Sequence, residues 1–334
     1  MSGVVPLPAG PLLQADDLER AFVVRRSLAD LVRGGPASAV RALNGVSLSI
    51  ARGETVAVVG ESGCGKSTLA RALVRLIELD AGQIDFAGAD VRRLRGAALR
   101  AYNRRVQLVF QDPYGSLNPR MTVREMLNEA LSVHRIVPRA ARAGRIAELL
   151  ALVRLPPDAG DRLPHHFSGG QRQRIAIARA LAVEPELLIA DEVVSALDVS
   201  VQAQILNLLL ELQQRLGLAM LFVSHDLRVV RHVAHRVAVM YLGRIVEIGP
   251  ADAVFDAPRH PYTQALLRAA PKLVPGGRAR EVAISGELPS AMAIPAGCPF
   301  HPRCPRAVDV CRVTPPMRVL VSQGHVASCH LVGA

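Results

Sequence analysis

Lys66 stands at the centre of the chemistry this sequence can do. It closes the stretch Gly60-Glu61-Ser62-Gly63-Cys64-Gly65-Lys66-Ser67-Thr68, which has the form G-x4-G-K-S/T. At that spacing the glycines let backbone N–H groups close round phosphate oxygens, the lysine reaches the β- and γ-phosphates of a nucleotide, and the hydroxyl after it ligates Mg2+. The chain holds only two lysines, Lys66 and Lys272, among 40 basic residues. A sequence that uses arginine almost everywhere keeps lysine where a compact, flexible point charge fits and a planar fork does not. A chance glycine-rich turn is the alternative, and the flanks argue against it. Thr55–Val59 is a short apolar, β-branched run that reads as a buried parallel strand, while Leu69, Leu73, Leu76 and Ile77 recur at helical spacing beyond the loop. Strand, loop and helix N-terminus together make an anion cradle.

Further residues add hydrolytic chemistry. Glu186–Glu192 is an apolar run that ends in two carboxylates, Asp191 and Glu192. Downstream of a phosphate loop, Asp191 is placed to hold Mg2+ through water and Glu192 to orient or deprotonate the water that attacks the γ-phosphate. Standing alone, the pair would serve equally well as capping or surface charge. Leu218–Ser224 is another core strand, and His225 follows it at the same sheet edge, facing the γ-phosphate or acting as a structural hydrogen bonder. Ser168-Gly169-Gly170-Gln171 precedes the amphipathic run Ile175–Leu181 and offers either a second phosphate cradle or an ordinary helix cap. Gln111 ends the strand Val106–Phe110 and opens a Pro/Gly-punctuated loop.

The elements that must position these groups alternate between strand and helix. A loose terminus to Leu13 precedes a strand over Leu18–Val24, then a surface loop over Arg25–Gly35 and an alternating strand over Val40–Ile50. Gly82–Gly88 reads as a strand with a hairpin turn, and Thr122–Leu155 as a helical insertion into an α/β core. Val199–Leu216 is a helix with Val201, Ile205, Leu208, Leu209, Leu212 and Leu216 on one face, and Val237–Tyr241 with Ile245–Ile248 forms a final hairpin. The net charge of +11 is compatible with an anionic membrane surface or with no specific partner. With aromatics at 3% and no Trp, a base-stacking surface is disfavoured, and no nucleic-acid partner is expected. No apolar run approaches the roughly 18 to 20 residues of a membrane span, and the first residues lack a charged start before an apolar stretch. These features predict a soluble, cytosolic chain.

In this order and spacing the motifs resemble those of an ABC transporter ATPase subunit, over Leu18 to Pro261. The resemblance implies a P-loop NTPase (RecA-like) α/β core with an antiparallel β subdomain and a helical insertion subdomain. It makes residues 14–256 the nucleotide-binding domain, with the insertion at about 112–180, and 257–334 a C-terminal extension. Gly60–Thr68 becomes the Walker A loop, Gln111 the Q-loop residue and a Mg2+ ligand beside Ser67 and Asp191, and Ser168–Gln171 the family motif. Asp191 becomes the Walker B acid, Glu192 the catalytic glutamate, Ser195–Asp198 the D-loop, and His225 the switch histidine. Phe22 is the candidate to stack on adenine. Two such subunits pair head to tail, so that ATP on one Walker A loop is capped by the Ser-Gly-Gly of the other. Phe110–Val123, Ser195–Gln204 and His260–Leu266 look like the dipeptide/oligopeptide importers, and more narrowly like the shorter of their two ATPase subunits. Implied partners are a second, paralogous ATPase, two transmembrane permeases and an extracytoplasmic binding protein, with this chain peripheral on the cytoplasmic face of the inner membrane. One departure is Val193, where the family usually has proline after the catalytic glutamate; a modest effect on rate is expected.

Of five cysteines, Cys64 lies in the phosphate loop and Cys298, Cys304, Cys311 and Cys329 crowd into the tail. In a reducing compartment such a cluster points to metal rather than disulfides, but the spacing alone leaves iron–sulfur, zinc and free thiols open. The resemblance points to a 4Fe-4S cluster, with zinc as the alternative. The activity implied is ATP hydrolysis coupled to uptake of di- or oligopeptides. The competing readings are a soluble ABC ATPase acting in DNA repair or on ribosomes, which typically carries two cassettes or a long coiled coil, and an exporter cassette.

Overall fold

A computed structural model describes residues 10–23, 39–269 and 286–332. The expected loop over Arg25–Gly35 and Lys272 lie outside the described residues. In chain order the strands are β1 (Leu13–Val23), β2 (Ala39–Ile50), β3 (Thr55–Val59), β4 (Ala81–Phe86), β5 (Ala89–Asp90), β6 (Val106–Val109), β7 (Leu187–Asp191), β8 (Ala219–Ser224), β9 (Arg236–Tyr241), β10 (Arg244–Pro250), β11 (Val319–Ser322) and β12 (His325–Ala327). The longer helices are α1 (Lys66–Leu73), α2 (Gly96–Arg105), α3 (Val123–Val133), α4 (Arg142–Leu152), α5 (Gly169–Leu181), α6 (Val199–Leu216), α7 (Leu227–Val233), α8 (Ala251–Asp256) and α9 (Pro261–Ala269).

Two sheets form the frame: eight strands in the order β11-β12-β10-β9-β3-β8-β7-β6, and four in the order β2-β1-β4-β5. From β9 to β6 all neighbours run parallel. β3, β7 and β8 are buried along their whole lengths. A strand covered on both faces has no polar-out position, which is why all three read as apolar runs with a polar residue only at one end. Period-two alternation sends Ala57 and Val59 to the side packed by the helical insertion, and Val56 and Val58 to the side covered by the antiparallel sheet. The β4–β5 hairpin turns at Ala87 (φ 51°) and Gly88 (φ 84°), the two positive values that a tight hairpin needs.

The insertion is two helices rather than one stretch. Thr122 caps α3 in a capping box with Glu125, and Val123, Met126, Leu127 and Leu131 form its buried face. The chain then reverses at Arg135 (φ 51°), and Pro138 caps a short turn before α4.

Three expectations need correction. β1 begins at Leu13 rather than Leu18: a bulge at Asp16-Asp17, with Asp17 at φ 48°, breaks the alternation that would have revealed the earlier half. α1 ends at Leu73, because Arg75 turns back at φ 56° and its guanidinium is tied to the Val91 and Leu94 carbonyls at 2.9 and 2.8 Å. Leu76 is consequently 60% exposed rather than on a buried helical face. Leu216, the last residue before the left-handed cap Gly217, is 45% exposed rather than buried with Ile205, Leu208, Leu209 and Leu212.

The C-terminal tail adds β12 to β10 and β11 to β12, both antiparallel, so it extends the main sheet. The junction is polar and buried. Glu247 accepts from the N–H groups of Arg259 (2.7 Å) and His260 (2.9 Å) and lies 2.8 Å from His325 Nε2. His260 Nδ1 accepts from the Tyr262 N–H at 3.0 Å, and the ring is also hydrogen-bonded to the Ser328 backbone. Burial pushes the His260 pKa from 6.5 down to about 3. The unfolded chain takes up this proton below pH 6.5 while the folded chain refuses it, so the stability is complete above 6.5 and lost as pH falls towards 3. Thermal melts at stepped pH are expected to show the midpoint dropping through that window, with a shallower slope in His260→Asn; an unchanged slope would contradict the assignment.

Candidate active site

Each predicted site residue of the core follows the carboxyl end of a parallel strand: the phosphate loop after β3, His225 after β8, Asp191 and Glu192 at the end of β7, and Gln111 after β6. Ligands of open α/β sheets bind at that edge. The loop from Gly60 to Thr68 runs into α1, whose first turn carries no acidic residue to compete for its N-terminus. Two glycines are required by space. A Cβ on Gly60 would lie 2.2 Å from the Met240 carbonyl oxygen, and one on Gly65 2.2 Å from that of Ala42. Both also have positive φ, 155° and 109°. Ser62 and Gly63, at the loop tip, are exposed.

Lys66 is 4% exposed, and its Nζ donates to the loop's own carbonyls, Gly60 O at 2.8 Å and Glu61 O at 3.0 Å. Cys64 Sγ lies 3.8 Å away, and burial raises that thiol's pKa. The Ser67 hydroxyl donates to Asp191 Oδ1 at 3.0 Å, so two of the three expected Mg2+ ligands meet across the sheet edge, while the third, Gln111, bonds to Ser195. Burial lifts the Asp191 carboxyl above its usual range, Ser67 pulls it back, and the nearby Glu192 lifts it again. A hydroxyl and a desolvated carboxylate beside a phosphate loop fit a hard, oxygen-seeking dication. The residues therefore suit Mg-ATP, with Gly60–Thr68 for the phosphates and Ser67 and Asp191 for the metal.

Glu192 occupies the left-handed region at φ 48°, which costs a non-glycine residue about 1 to 3 kcal/mol. Its N–H donates to the Val223 carbonyl at 3.0 Å, and its carboxylate is 3.4 Å from His225 Nδ1. A proline at 193 would push residue 192 towards extended backbone; the buried Val193 leaves Glu192 free to take this geometry. Gln111 Nε2 donates to Ser195 Oγ at 3.3 Å, and Ser195 Oγ donates to the Glu192 carbonyl at 3.0 Å. Gln111 is thus linked to the Glu192 turn through Ser195, a contact the sequence did not suggest. Asp198 occupies the position before α6, makes no side-chain capping bond and is exposed.

Ser168 caps α5, its Oγ accepting from the Gln171 N–H at 3.4 Å while its own N–H donates to Gln171 Oε1 at 3.0 Å. Ser168 and Gln171 at this helix start are exposed, Gly169 half-buried and Gly170 buried, so capping leaves the outer edge of the turn accessible to an anion. A Cβ on Gly170 would strike Val201 Cγ1 at 2.4 Å, which explains the second glycine. The Ser168 hydroxyl and the Gln171 amide are thus engaged with each other's backbone, and the Ser168 carbonyl accepts from the Arg172 N–H at 2.9 Å. Phe22 is 37% exposed near the end of β1, with the Arg20 guanidinium 4.9 Å from its ring centre. Its partner Val40 is close along β2 to Ala42, the residue that abuts Gly65.

Two residues near the loop were missed. Tyr262 Oη accepts from the Glu61 N–H at 2.9 Å, and Arg303 grips the Glu61 carboxylate. No local signal connects positions so far apart in sequence. The tail cysteines share one neighbourhood, since Cys304, Cys311 and Cys329 each push the Cys298 thiol pKa up, after burial, to about 11. Among the described residues no group of three or more His, Cys, Asp or Glu side chains is disposed to hold a metal ion, so the thiols as placed do not form a ligand shell.

Fold and site together define a phosphate-loop nucleoside triphosphatase. Residues 43–195 match the family model of the ABC transporter, and residues 246–311 match that of the oligopeptide/dipeptide transporter C-terminal region. The chain belongs to the ABC transporter ATP-binding proteins, in the oligopeptide/dipeptide branch, and is an ATPase. It is 54% identical to a probable peptide ABC transporter ATP-binding protein, y4tS, of Sinorhizobium fredii, covering 87% of this chain and 83% of that one. It is 50% identical to the dipeptide transport ATP-binding protein DppF of Escherichia coli, covering 90% and 89%. Among solved structures it resembles cbiO1 of Clostridium perfringens, part of the complex cbiONQ, at TM-score 0.62 and 28% identity over 74% of this chain and 91% of that one. It also resembles the dimeric cassette MJ0796 bound to ADP and Pi, at TM-score 0.61 and 26% identity over 72% and 98%.

Proposed function

We propose that this chain supplies one ATP-hydrolysing half of a peptide importer, working with a second, paralogous ATPase, two transmembrane permeases and an extracytoplasmic binding protein at the cytoplasmic face of the inner membrane. The observation that carries the reading is the Ser168–Gln171 turn, whose exposed Ser168 and Gln171 bond to each other at the start of α5. Such a half-site is complete only against another subunit, and the cassette MJ0796 that this chain resembles is dimeric. No described helix is long and apolar enough to cross a membrane, so the spans must come from partners. In this assembly Phe22 stacks on adenine, Gln111 senses the γ-phosphate for the insertion, and Asp198 lines the interface. The division at residues 256 and 257 separates the cassette from a tail specific to this branch. Uptake of labelled dipeptides by cells lacking the gene is expected to return with the wild-type chain and not with a hydrolysis-dead variant; full uptake without the chain would overturn the proposal.

The four tail thiols we assign to a 4Fe-4S cluster, with zinc as the alternative, supported by their mutual proximity. Ligation would draw Cys298, Cys304, Cys311 and Cys329 closer than they stand here. Anaerobically purified, iron-replete protein is expected to contain iron and to absorb near 400 nm. Zinc in stoichiometric amount would select the alternative, and neither metal would end the assignment.

A further inference from the structure

Glu61, the residue after Gly60 in the phosphate loop, has every polar group committed, and two of the commitments come from the far end of the chain. Its carboxylate takes a two-pronged ion pair from Arg303, Nη1 to Oε2 at 2.7 Å and Nη2 to Oε1 at 3.0 Å. Its N–H donates to Tyr262 Oη at 2.9 Å. Its carbonyl accepts from Lys66 Nζ at 3.0 Å and from the Cys64 N–H at 3.3 Å. The Arg303 side chain is 5% exposed and that of Glu61 23%, so the pair is largely withdrawn from solvent. A bidentate arginine–carboxylate pair in such a setting is more directional and stronger than an exposed one. Tyr241, Tyr262 and Phe300 pack together, with ring centres 4.6 to 5.3 Å apart, and hold the segment that carries Arg303.

We infer that Arg303 is a positioning residue for nucleotide binding: acting through Glu61, it fixes the first turn of the phosphate loop and the carbonyl against which Lys66 rests. Arg303 ends the short turn His301–Arg303, which is bracketed by tail cysteines. The His301 N–H donates to the Cys298 carbonyl at 3.0 Å, the Cys304 N–H to the His301 carbonyl at 3.3 Å, and the Cys298 N–H to the Cys311 carbonyl at 2.8 Å. The tail therefore reaches into the ATP site from outside the cassette. A loop fixed in this way favours the phosphates equally in ground and transition states, so its loss raises KM and spares kcat.

The test uses the full chain with Glu61→Gln, Arg303→Gln, Arg303→Lys and the Glu61/Arg303 double variant. Mg-ATP affinity, steady-state hydrolysis and thermal midpoint are measured for each. Either glutamine variant is expected to weaken ATP binding and raise KM about tenfold, with kcat within about twofold. The double variant is expected to be no worse than Arg303→Gln alone, because both remove one interaction. Arg303→Lys recovers part of the loss, replacing a fork by a point charge. Glu61→Gln keeps the side chain's size at a half-buried position, so the test survives if an Arg303 variant fails to fold. Wild-type ATP affinity in Glu61→Gln would overturn the inference. So would a lowered thermal midpoint with unchanged affinity, or additive losses in the double variant.

Discussion

Lys66→Ala is expected to lower ATP hydrolysis by about 10² to 10³-fold, the usual cost of deleting one preorganised group that stabilises developing charge. The ammonium is held in a setting suited to that role. It is buried, its Nζ bonds to two carbonyls of its own loop, and among the described residues it has no carboxylate partner. Weak backbone acceptors keep the charge in place without neutralising it, so an incoming phosphate can claim it. Lys66→Arg is expected to do little better, since the fork cannot fit a loop whose glycine positions touch the Met240 and Ala42 carbonyls. Phosphate release by the chain purified together with its partner ATPase decides the point; hydrolysis within about tenfold of wild type in Lys66→Ala would refute the role.

Glu192→Gln is expected to lower kcat by about 10² to 10⁴-fold while leaving ATP binding intact. The amide keeps the side chain's shape and loses the basic oxygen. The phosphate loop, Ser67 and Asp191 are untouched, so Mg-ATP still binds and the ATP-bound pair of subunits accumulates. The observable is a shift to the two-subunit species on a sizing column with Mg-ATP, absent with ADP. Brisk turnover, or loss of ATP affinity in place of turnover, would show that Glu192 holds nucleotide and does not drive hydrolysis.

Most of the cassette was legible because its signals are local. The phosphate loop shows its glycines, its lysine and the strand-to-helix switch within a single window, and β3, β7 and β8 are covered on both faces and therefore apolar except at one end. Where the reading failed, a backbone event overrode the pattern. The bulge at Asp16-Asp17 hid the first half of β1, and Arg75 ended α1 in a left-handed conformation that glycine usually announces. The contacts at Glu61 were out of reach for another reason. Arg303 is 242 positions away, and nothing in the composition of the tail says which charge it will meet. Glu247 is similar: a carboxylate inside an apolar strand reads as an interruption until its three partners from two later segments are in view.

The central claim is that this ATPase works as part of a membrane importer, and isolating the tagged chain from native membranes in mild detergent tests it most directly. Mass spectrometry of the isolate is expected to find two multi-span permeases and a second ATPase with the same kind of tail. Ribosomal or DNA-repair proteins in their place, with no membrane protein, would contradict the account while leaving the chemistry of the phosphate loop intact.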